Sequence, residues 1–234
     1  MVPHNKLTEL GSKLSGDLFT DYPTRLLYAT DASVYREVPL AVVRPGSKDD
    51  ILALIKFART FRVSLIPRTA GTSLAGQVVG GGIVVDISRY MTKVLEINQD
   101  EKWVRVEPGV ILDELNLILE PYGLFFGPET STSNRCMIGG MVGNNSCGAH
   151  SLVYGSTRDH TISVKALLCD GSEAEFKPLN EKELNEKASG TNLESELYRH
   201  ILGMLHDPVN QQEIRKEYPD PVIKRRNTGY AIDL

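Results

Sequence analysis

Apolar and polar residues change period several times along this chain, and each change marks an element. "AVVRP", Ala41–Pro45, is a short apolar run closed by proline and reads as a strand. Ser47-x-x-Asp50 follows as a variant capping box with Asp in place of Glu. It introduces "ILALIKFARTF", whose Ile51, Leu54, Ile55 and Ala58 fall at helical spacing. "VSLIP", Val63–Pro67, is the next strand, so strand, helix and strand predict a βαβ unit. From Ile83 the period becomes two. "IVVDIS", "KVLEIN" and "WVRVEP" alternate as half-buried strands do, with a turn at Asn98–Lys102 between the last pair. "VILDELNLILEPYG" predicts an amphipathic helix from about Ile111 to Glu120, ended by Pro121 and Gly123.

The flanks are plainer. The first forty residues read as irregular to helical, with a short amphipathic helix at Thr8–Leu14. "TISVKALLCDGSEAEF", Thr161–Phe176, predicts a β-hairpin turning on Asp170-Gly171. Three polar helical segments follow, near Glu181–Lys187, Leu193–Leu205 and Gln211–Glu217. Neither an internal repeat nor a low-complexity tract interrupts this order.

Two stretches escape the periodicity. Pro67–Gln77 is a loop of small residues after a strand, and Phe125–His160 runs almost without regular pattern. In the second, Gly127, Gly139, Gly140, Gly143, Gly148 and Gly155 alternate with Ser, Thr and Asn. Structureless loops longer than about 12–15 residues are uncommon in compact domains and are usually functional or disordered. Met137, Ile138, Met141, Val142, Leu152 and Tyr154 supply anchors that argue against disorder.

Glycine-rich backbone offers many N–H donors at close range, and consecutive amides form anion-binding nests. A P-loop needs G-x4-G-K-[ST]. Gly71-x4-Gly76 fits, but Gln77-Val78 stands where Lys and Ser/Thr belong, which argues against ATP hydrolysis. A dinucleotide fingerprint needs G-x-G-x-x-G between strand and helix; Ile138 occupies the place of its first glycine. What remains is a diphosphate held by neutral backbone donors, with Thr72 and Ser73 adding hydroxyls. In the second loop Thr130, Ser131, Thr132, Asn144, Asn145 and Ser146 suit the carbonyls and ring nitrogens of a flat heterocycle.

Composition narrows the partners. With 234 residues the chain makes one large domain or two small ones, and its net charge of −4 argues against nucleic acid. The longest basic run, Lys224–Arg226, is too short to change that. No stretch approaches the roughly 18 apolar residues of a membrane span, and no secretory signal opens the chain, so the cytoplasm is the expected compartment. Cys136, Cys147 and Cys169 form no CxxC pair, and His4, His150, His160, His200 and His206 show no metal spacing. No metal is therefore expected.

"PRTAGTSLAG", "GIVVDISRYM", "VEPGV" and "YGLFFGPETSTSNRCMIGGMVGNNSCGAHSLVYGSTRDH" together resemble the flavin-binding domain of the vanillyl-alcohol-oxidase/PCMH superfamily. Within it the likeness is to the glycolate oxidase GlcD-type and D-lactate dehydrogenase branch. It runs from about Val38 to Phe176 and also catches the tail "KRRNTGYAIDL". The resemblance implies an α+β fold of the FAD-binding PCMH type, in which FAD lies between two α/β subdomains. These are expected at about 38–89 and 90–178, after an N-terminal helical segment at 1–37. Residues 179–234 are expected as a helical extension toward a substrate domain outside this sequence.

The resemblance also implies a cofactor site. The pyrophosphate would rest on Pro67, Arg68, Thr69, Ala70, Gly71, Thr72, Ser73 and Gly76, with Gln77 beside them. The isoalloxazine would lie against Pro128, Thr130, Ser131, Gly139, Gly140, Gly143, Asn144, Ser146 and Gly148, with Tyr154 and Gly155 closing the loop. Pro108-Gly109 would make the turn in "VEPGV". Thr69 and Ser73 replace glycines common in the family, and Cys147 stands where Ala or Gly is frequent. Thr72 occupies the position at which some members carry a flavin-tethering histidine, so the FAD is expected to be non-covalent. His150 is expected to pack within the loop, and Glu129 has no partner acid to make it a base.

By the same resemblance, the activity expected is oxidation of a D-2-hydroxy acid, D-lactate or glycolate-like, with hydride passing to flavin N5 and electrons to a further acceptor. An alcohol or sugar oxidase of the same superfamily, and an FAD-carrying electron-transfer subunit without a substrate site, are the alternatives. The residues assign no catalytic role.

Overall fold

The computed structural model describes residues 2–220, 222–223 and 229–232. The basic run Lys224–Arg226 and part of the family-like tail lie outside the described residues. The chain opens with α1 (His4–Gly11), β1 (Asp17–Phe19) and α2 (Tyr22–Leu27). α1 starts and stops earlier than the expected Thr8–Leu14. Its Leu7 and Leu10 are the pair that reaches the core, and the amides of Ser12 and Lys13 fold back onto Thr8 and Leu10, turning the chain toward β1. The strand β1 carries no sequence signal of its own.

Next come β2 (Ala41–Arg44), α3 (Lys48–Phe61), β3 (Leu65–Arg68) and β4 (Ile83–Asp86). The sheet order is β1-β2-β4-β3, with β1 antiparallel to β2 and the other three parallel. The predicted βαβ unit is there, but β4 is inserted between its two strands. That insertion corrects the expectation of a half-buried "IVVDIS". Paired on both edges and covered on both faces, β4 is buried at all four positions. Ala41, Val43, Ile83 and Val85 face Leu54 and Phe57 of α3 and Leu7 and Leu10 of α1.

The second layer begins with β5 (Val94–Asn98) and β6 (Trp103–Val106), an antiparallel ribbon across the expected turn. α4 (Leu112–Leu119) lays Leu115 and Leu119 onto Val94, Ile97, Val104 and Val106 of that ribbon. It ends in a 3-10 turn at Glu120–Tyr122 and in Gly123, whose φ of +68° suits glycine. The stretch read as aperiodic holds three short turns of helix: α5 (Ile138–Asn144), α6 (Ser151–Tyr154) and a 3-10 turn at Thr157–His160. Each is too short, and too rich in glycine or polar residues, to show a period.

β7 (Val164–Leu167) and β8 (Glu173–Phe176) form the predicted hairpin, with Gly171 at φ +90° in its turn. The hairpin meets α3 through Lys48–Glu173 at 2.7 Å and Arg59 donating to the Asp170 carbonyl at 2.9 Å. α7 (Glu181–Ser189), α8 (Leu193–His206) and α9 (Pro208–Glu217) follow, capped by Asn180, Asn192 and Asp207.

One buried carboxylate ties the N-terminal segment to this core. Ser47 Oγ accepts from the Asp50 amide, so half of the predicted capping box forms. The Asp50 side chain does not reach back to Ser47. It accepts instead from the amides of Ser15, Gly16 and Gly46 at 2.7–2.9 Å and from the Ser15 hydroxyl at 2.9 Å. The segments approach so closely that a Cβ on Gly16 would strike the Arg44 carbonyl. Burial pushes the Asp50 carboxyl up, but the Ser15, Gly46 and Gly16 donors outweigh it and hold its pKa below the ordinary carboxylate value.

Asp50→Ala leaves three amides without their acceptor, and a loss of about 3 kcal/mol in denaturant-measured stability is expected. Because the folded pKa lies below the unfolded one, Asp50's contribution is present above the unfolded value of about 3.9 and fades as pH falls through the folded value. Asp50→Asn should therefore flatten the acid limb of the stability–pH curve. Equal acid limbs in the two proteins would contradict this role.

Candidate functional site

The first candidate loop leaves the carboxyl end of β3. Arg68 still belongs to the strand, and its carbonyl accepts from the Ile87 amide at 3.1 Å. Beyond it, the amides of Ala70, Gly71, Thr72 and Ser73 have no hydrogen-bond partner among the described residues. Gly71 and Gly76 hold φ at +65° and +74°, a backbone conformation that glycine reaches without steric cost. Ser73 has a different task from the one expected. Its hydroxyl donates to Gln77 Oε1 at 2.6 Å and accepts from the amides of Ala75 and Gln77, closing the loop on itself.

The loop stands on a cluster at the strand ends that the sequence did not single out. Tyr28 Oη donates to Asp86 Oδ2 at 2.6 Å, and Arg44 donates to Tyr28 Oη from Nε and Nη2 at 3.1 and 2.9 Å. Asp86 is 4% exposed, and its other oxygen accepts from the Ser88 amide. Burial first, and then the Asp86 carboxylate, push the Tyr28 phenol above its ordinary pKa, so it stays a donor at neutral pH. The only signals in the sequence were an Arg at the end of one strand and an Asp at the end of another.

The second candidate loop is built around α5. Pro128 is fully buried. The Thr130 hydroxyl sits among Cys136 Sγ, Thr132 Oγ1 and the Thr132 amide, while Ser131 is exposed. Gly139 lets the helix approach Pro108, whose carbonyl accepts its amide at 2.8 Å. Gly148 allows an equally close approach to the Glu129 carbonyl. Asn145 takes φ +47°, and its side chain accepts from the Arg158 amide. The carbonyl of Ser146 accepts from both the amide and the hydroxyl of Thr157, a fully buried residue. Ser151 Oγ, buried at the start of α6, has no hydrogen-bond partner among the described residues.

The fold brings the two loops into contact. Thr69 Oγ1 lies against Gly140, where any Cβ would strike it, and Gln77 Nε2 donates to Asn144 Oδ1 at 3.3 Å. Asn144 in turn donates to Ser146 Oγ at 3.2 Å. Other candidates make their contacts elsewhere. Gly143 faces open space, Tyr154 packs edge-on against Phe125 and beside Gly127, and Gly155 sits over Asp159 at φ +72°. Glu129, read as lacking a partner acid, meets a histidine: His150 Nδ1 and Glu129 Oε1 are 2.7 Å apart on an exposed surface. Among the described residues no cluster of His, Cys, Asp or Glu could hold a metal, and no helix is long and apolar enough to cross a membrane.

Unspent amides in a bent loop, an orphaned buried hydroxyl in the facing loop and backbone brought close by glycine suit an extended ligand with an anionic middle. Comparison with known proteins bears on which ligand. Residues 39–177 match the family model described as "FAD binding domain". The chain is 39% identical to D-2-hydroxyglutarate dehydrogenase of Pseudomonas putida over 94% of its length, and 41% identical to that of Escherichia coli (strain K12) over 97%. Each match covers 22% of the relative, so the chain spans about a fifth of the length of these proteins. Glycolate oxidase subunit GlcD of Bacillus subtilis (strain 168) is 35% identical over 63% of the chain and 32% of the relative. Among solved structures, an alkyldihydroxyacetonephosphate synthase superposes with a TM-score of 0.68 at 22% identity, covering 79% of this chain and 36% of that one. That last likeness is one of fold.

The contact between the loops has a direct test. Gly140→Ala should cost about 1–3 kcal/mol, because the new Cβ is driven into the stiff Thr69 side chain. Thr69→Gly in the same chain should restore most of that loss in thermal or denaturant unfolding. A neutral Gly140→Ala would mean that the loops do not touch there.

Proposed function

The chain belongs to the FAD binding domain family, and from that premise we propose that it is the flavin-holding module of a dehydrogenase acting on a D-2-hydroxy acid. The mixed helix and strand architecture is the one the resemblance implied. The observation that carries the proposal is the row of unspent amides at Ala70–Ser73, held by Thr69 against Gly140 of the facing loop. Those residues fit a dinucleotide: amides for a diphosphate, and a glycine helix with polar neighbours for a flat ring. Bound FAD supplies a hydride acceptor at N5.

The chain's own residues hold and orient. The first loop offers the diphosphate donors that need no rearrangement, which lowers the entropy lost on binding. Thr69 and the Gln77–Asn144 bond set the distance between the two halves of the site. Thr72, with no partner in the loop, adds a hydroxyl and lacks the nucleophilic nitrogen that a covalent tether needs. Among D-2-hydroxy acids, a hydroxy dicarboxylate such as D-2-hydroxyglutarate is the substrate we favour. In support, relatives with that name align along nearly the whole chain at 39–41% identity, while GlcD aligns along 63% at 35%. Oxidation of such a substrate also requires a base for the hydroxyl proton and a cationic clamp for each carboxylate. We place those groups, and the contact with the electron acceptor, in parts of the longer protein beyond this chain.

The purified chain should bind FAD at low micromolar concentration or tighter and FMN far more weakly, as titration calorimetry reports. Acid precipitation should release all of the flavin into the supernatant. Equal affinity for FAD and FMN would remove the two-loop site, and flavin retained on the pellet would refute non-covalent binding. The chain loaded with FAD should not reduce a dye with D-2-hydroxyglutarate, D-lactate or glycolate; saturable turnover would put the substrate groups inside this chain.

A further inference from the structure

Burial in the C-terminal helices runs opposite to that of a finished surface. In α8 the two buried residues are Glu194 and Ser195, whereas Leu197 and Ile201 are 40% and 46% exposed. Leu193 and Met204 are half-buried. At about 100° per residue, Leu193, Met204, Leu197 and Ile201 fall within one arc of about 80°. That arc lies beside the one that meets the rest of the chain. There Glu194 pairs with Lys187 of α7 at 2.6 Å, Arg199 donates to the carbonyls of Ala188 and Gly190, and the Tyr198 ring stands 6.3 Å from that of Phe176. Asn210 and Gln211 of α9 donate to the carbonyls of Met204 and Leu205. These joints are mostly polar. Among the described residues, none from α7, α8 or α9 belongs to a hydrophobic cluster, and neither α7 nor α9 buries a residue.

We propose that the stripe of Leu193, Leu197, Ile201 and Met204 is a docking face, taken by an apolar face of the further polypeptide that the long relatives carry. This rests on the reading of the chain as one module of such a protein. The family model ends at residue 177, before α7, so the three helices are additional to the flavin domain. The D-2-hydroxyglutarate dehydrogenases align over 94–97% of this chain, too much to omit these helices, and the match covers 22% of each relative. The helices thus go with a polypeptide several times longer, which supplies the missing apolar surface. Covering the stripe removes apolar area from water, the main favourable term in such contacts. Glu196 and His200, both exposed, border the stripe on its solvent side as a polar rim. A lipid surface fits poorly. Interfacial helices carry Lys and Arg on their polar face, whereas α8 has a single arginine, already held by two carbonyls.

The test is hydrogen–deuterium exchange, read by mass spectrometry, on this chain and on the full-length protein, with sedimentation velocity of the chain alongside. The amides of Leu197–His206 should exchange at least about tenfold more slowly in the full-length protein, while those of α3 change by less than about two-fold. Leu197→Gln combined with Ile201→Gln should leave the chain's melting temperature within about 2 °C and its FAD affinity within about two-fold, as surface substitutions do. In the full-length protein the same pair should return α8 exchange to the rate of the chain alone. Equal α8 exchange in the two wild-type proteins overturns the proposal, however the variant behaves. So does protection of α8 in the chain alone that grows with its concentration as a dimer forms, because the face then joins two copies. FAD titration of the same samples separates the two readings. Chain that binds FAD while α8 stays unprotected in the full-length protein loses only the docking face. Chain that binds no FAD loses the flavin reading, and α8 exchange still decides the docking face.

Discussion

The candidate site depends on the insertion of β4 between β2 and β3. Because β4 pairs in register with both neighbours, Val43 lies beside Val85 and Arg68 beside Asp86. The ends of three parallel strands are thus brought to one edge, carrying two guanidiniums and a carboxylate. The chain must also pass over that edge on its way from β3 to β4, and that passage is the first loop. Carboxyl ends of parallel strands, where the order departs from the sequence, are where open α/β sheets bind ligands. Burying Asp86 at the end of the central strand would be costly alone, and Tyr28, Arg44 and the Ser88 amide meet its hydrogen-bonding needs.

Hydrogen-bond accounting explains why the loop is both ordered and receptive. Elsewhere the amides of close-packed turns find acceptors, as those of Ser15, Gly16 and Gly46 do in the Asp50 carboxylate. The first loop divides the two tasks. Ser73 and Gln77 close it, and the four amides from Ala70 to Ser73 are left over among the described residues. Such a loop contributes little to the stability of the ligand-free protein, since its donors gain nothing from folding that water does not already offer. A ligand that accepts from them binds the folded state alone, and so adds RT ln(1 + [L]/Kd) to the stability.

How much of this was legible follows from the range of each interaction. Local signals gave β2, α3, β3, both hairpins, α4 and the three C-terminal helices, because each depends on caps, turns and periodicity within a dozen residues. The place of β4 in the sheet was not local. Its neighbours on both sides lie far away in sequence, and alternation in "IVVDIS" reads as half-buried only if one face meets water. Asp50 was seen as a helix-start residue, but its acceptor role was hidden because three of its donors lie 34–35 residues upstream. Tyr28, and the pairing of His150 with Glu129, were missed for the same reason. A tyrosine in an irregular segment, and a histidine far along the chain from its glutamate, carry no spacing signal. The two glycine loops were legible as candidate sites because the absence of side chains is itself written in the sequence, although the neighbour each glycine meets was not. Gly143 and Gly155 illustrate that limit: one faces open space and the other serves a turn over Asp159.

Thr69 and Ser73 show how a loop that favours glycine in the resembled family takes side chains here. Each hydroxyl has a specific neighbour: Thr69 meets the bare Cα of Gly140, and Ser73 meets Gln77. A β-branched residue at position 69 has few rotamers with which to avoid a facing Cβ, so it is compatible only with glycine at position 140. The two loops therefore constrain one another's composition. A chain with glycine at 69 would be free to carry alanine at 140, whereas this chain is not. The Ser73 hydroxyl, by contrast, replaces backbone freedom with a hydrogen-bonded closure, which limits the conformations open to the loop. Ser73 therefore acts on the order of this loop, while the amides of Ala70–Ser73 keep no hydrogen-bond partner among the described residues.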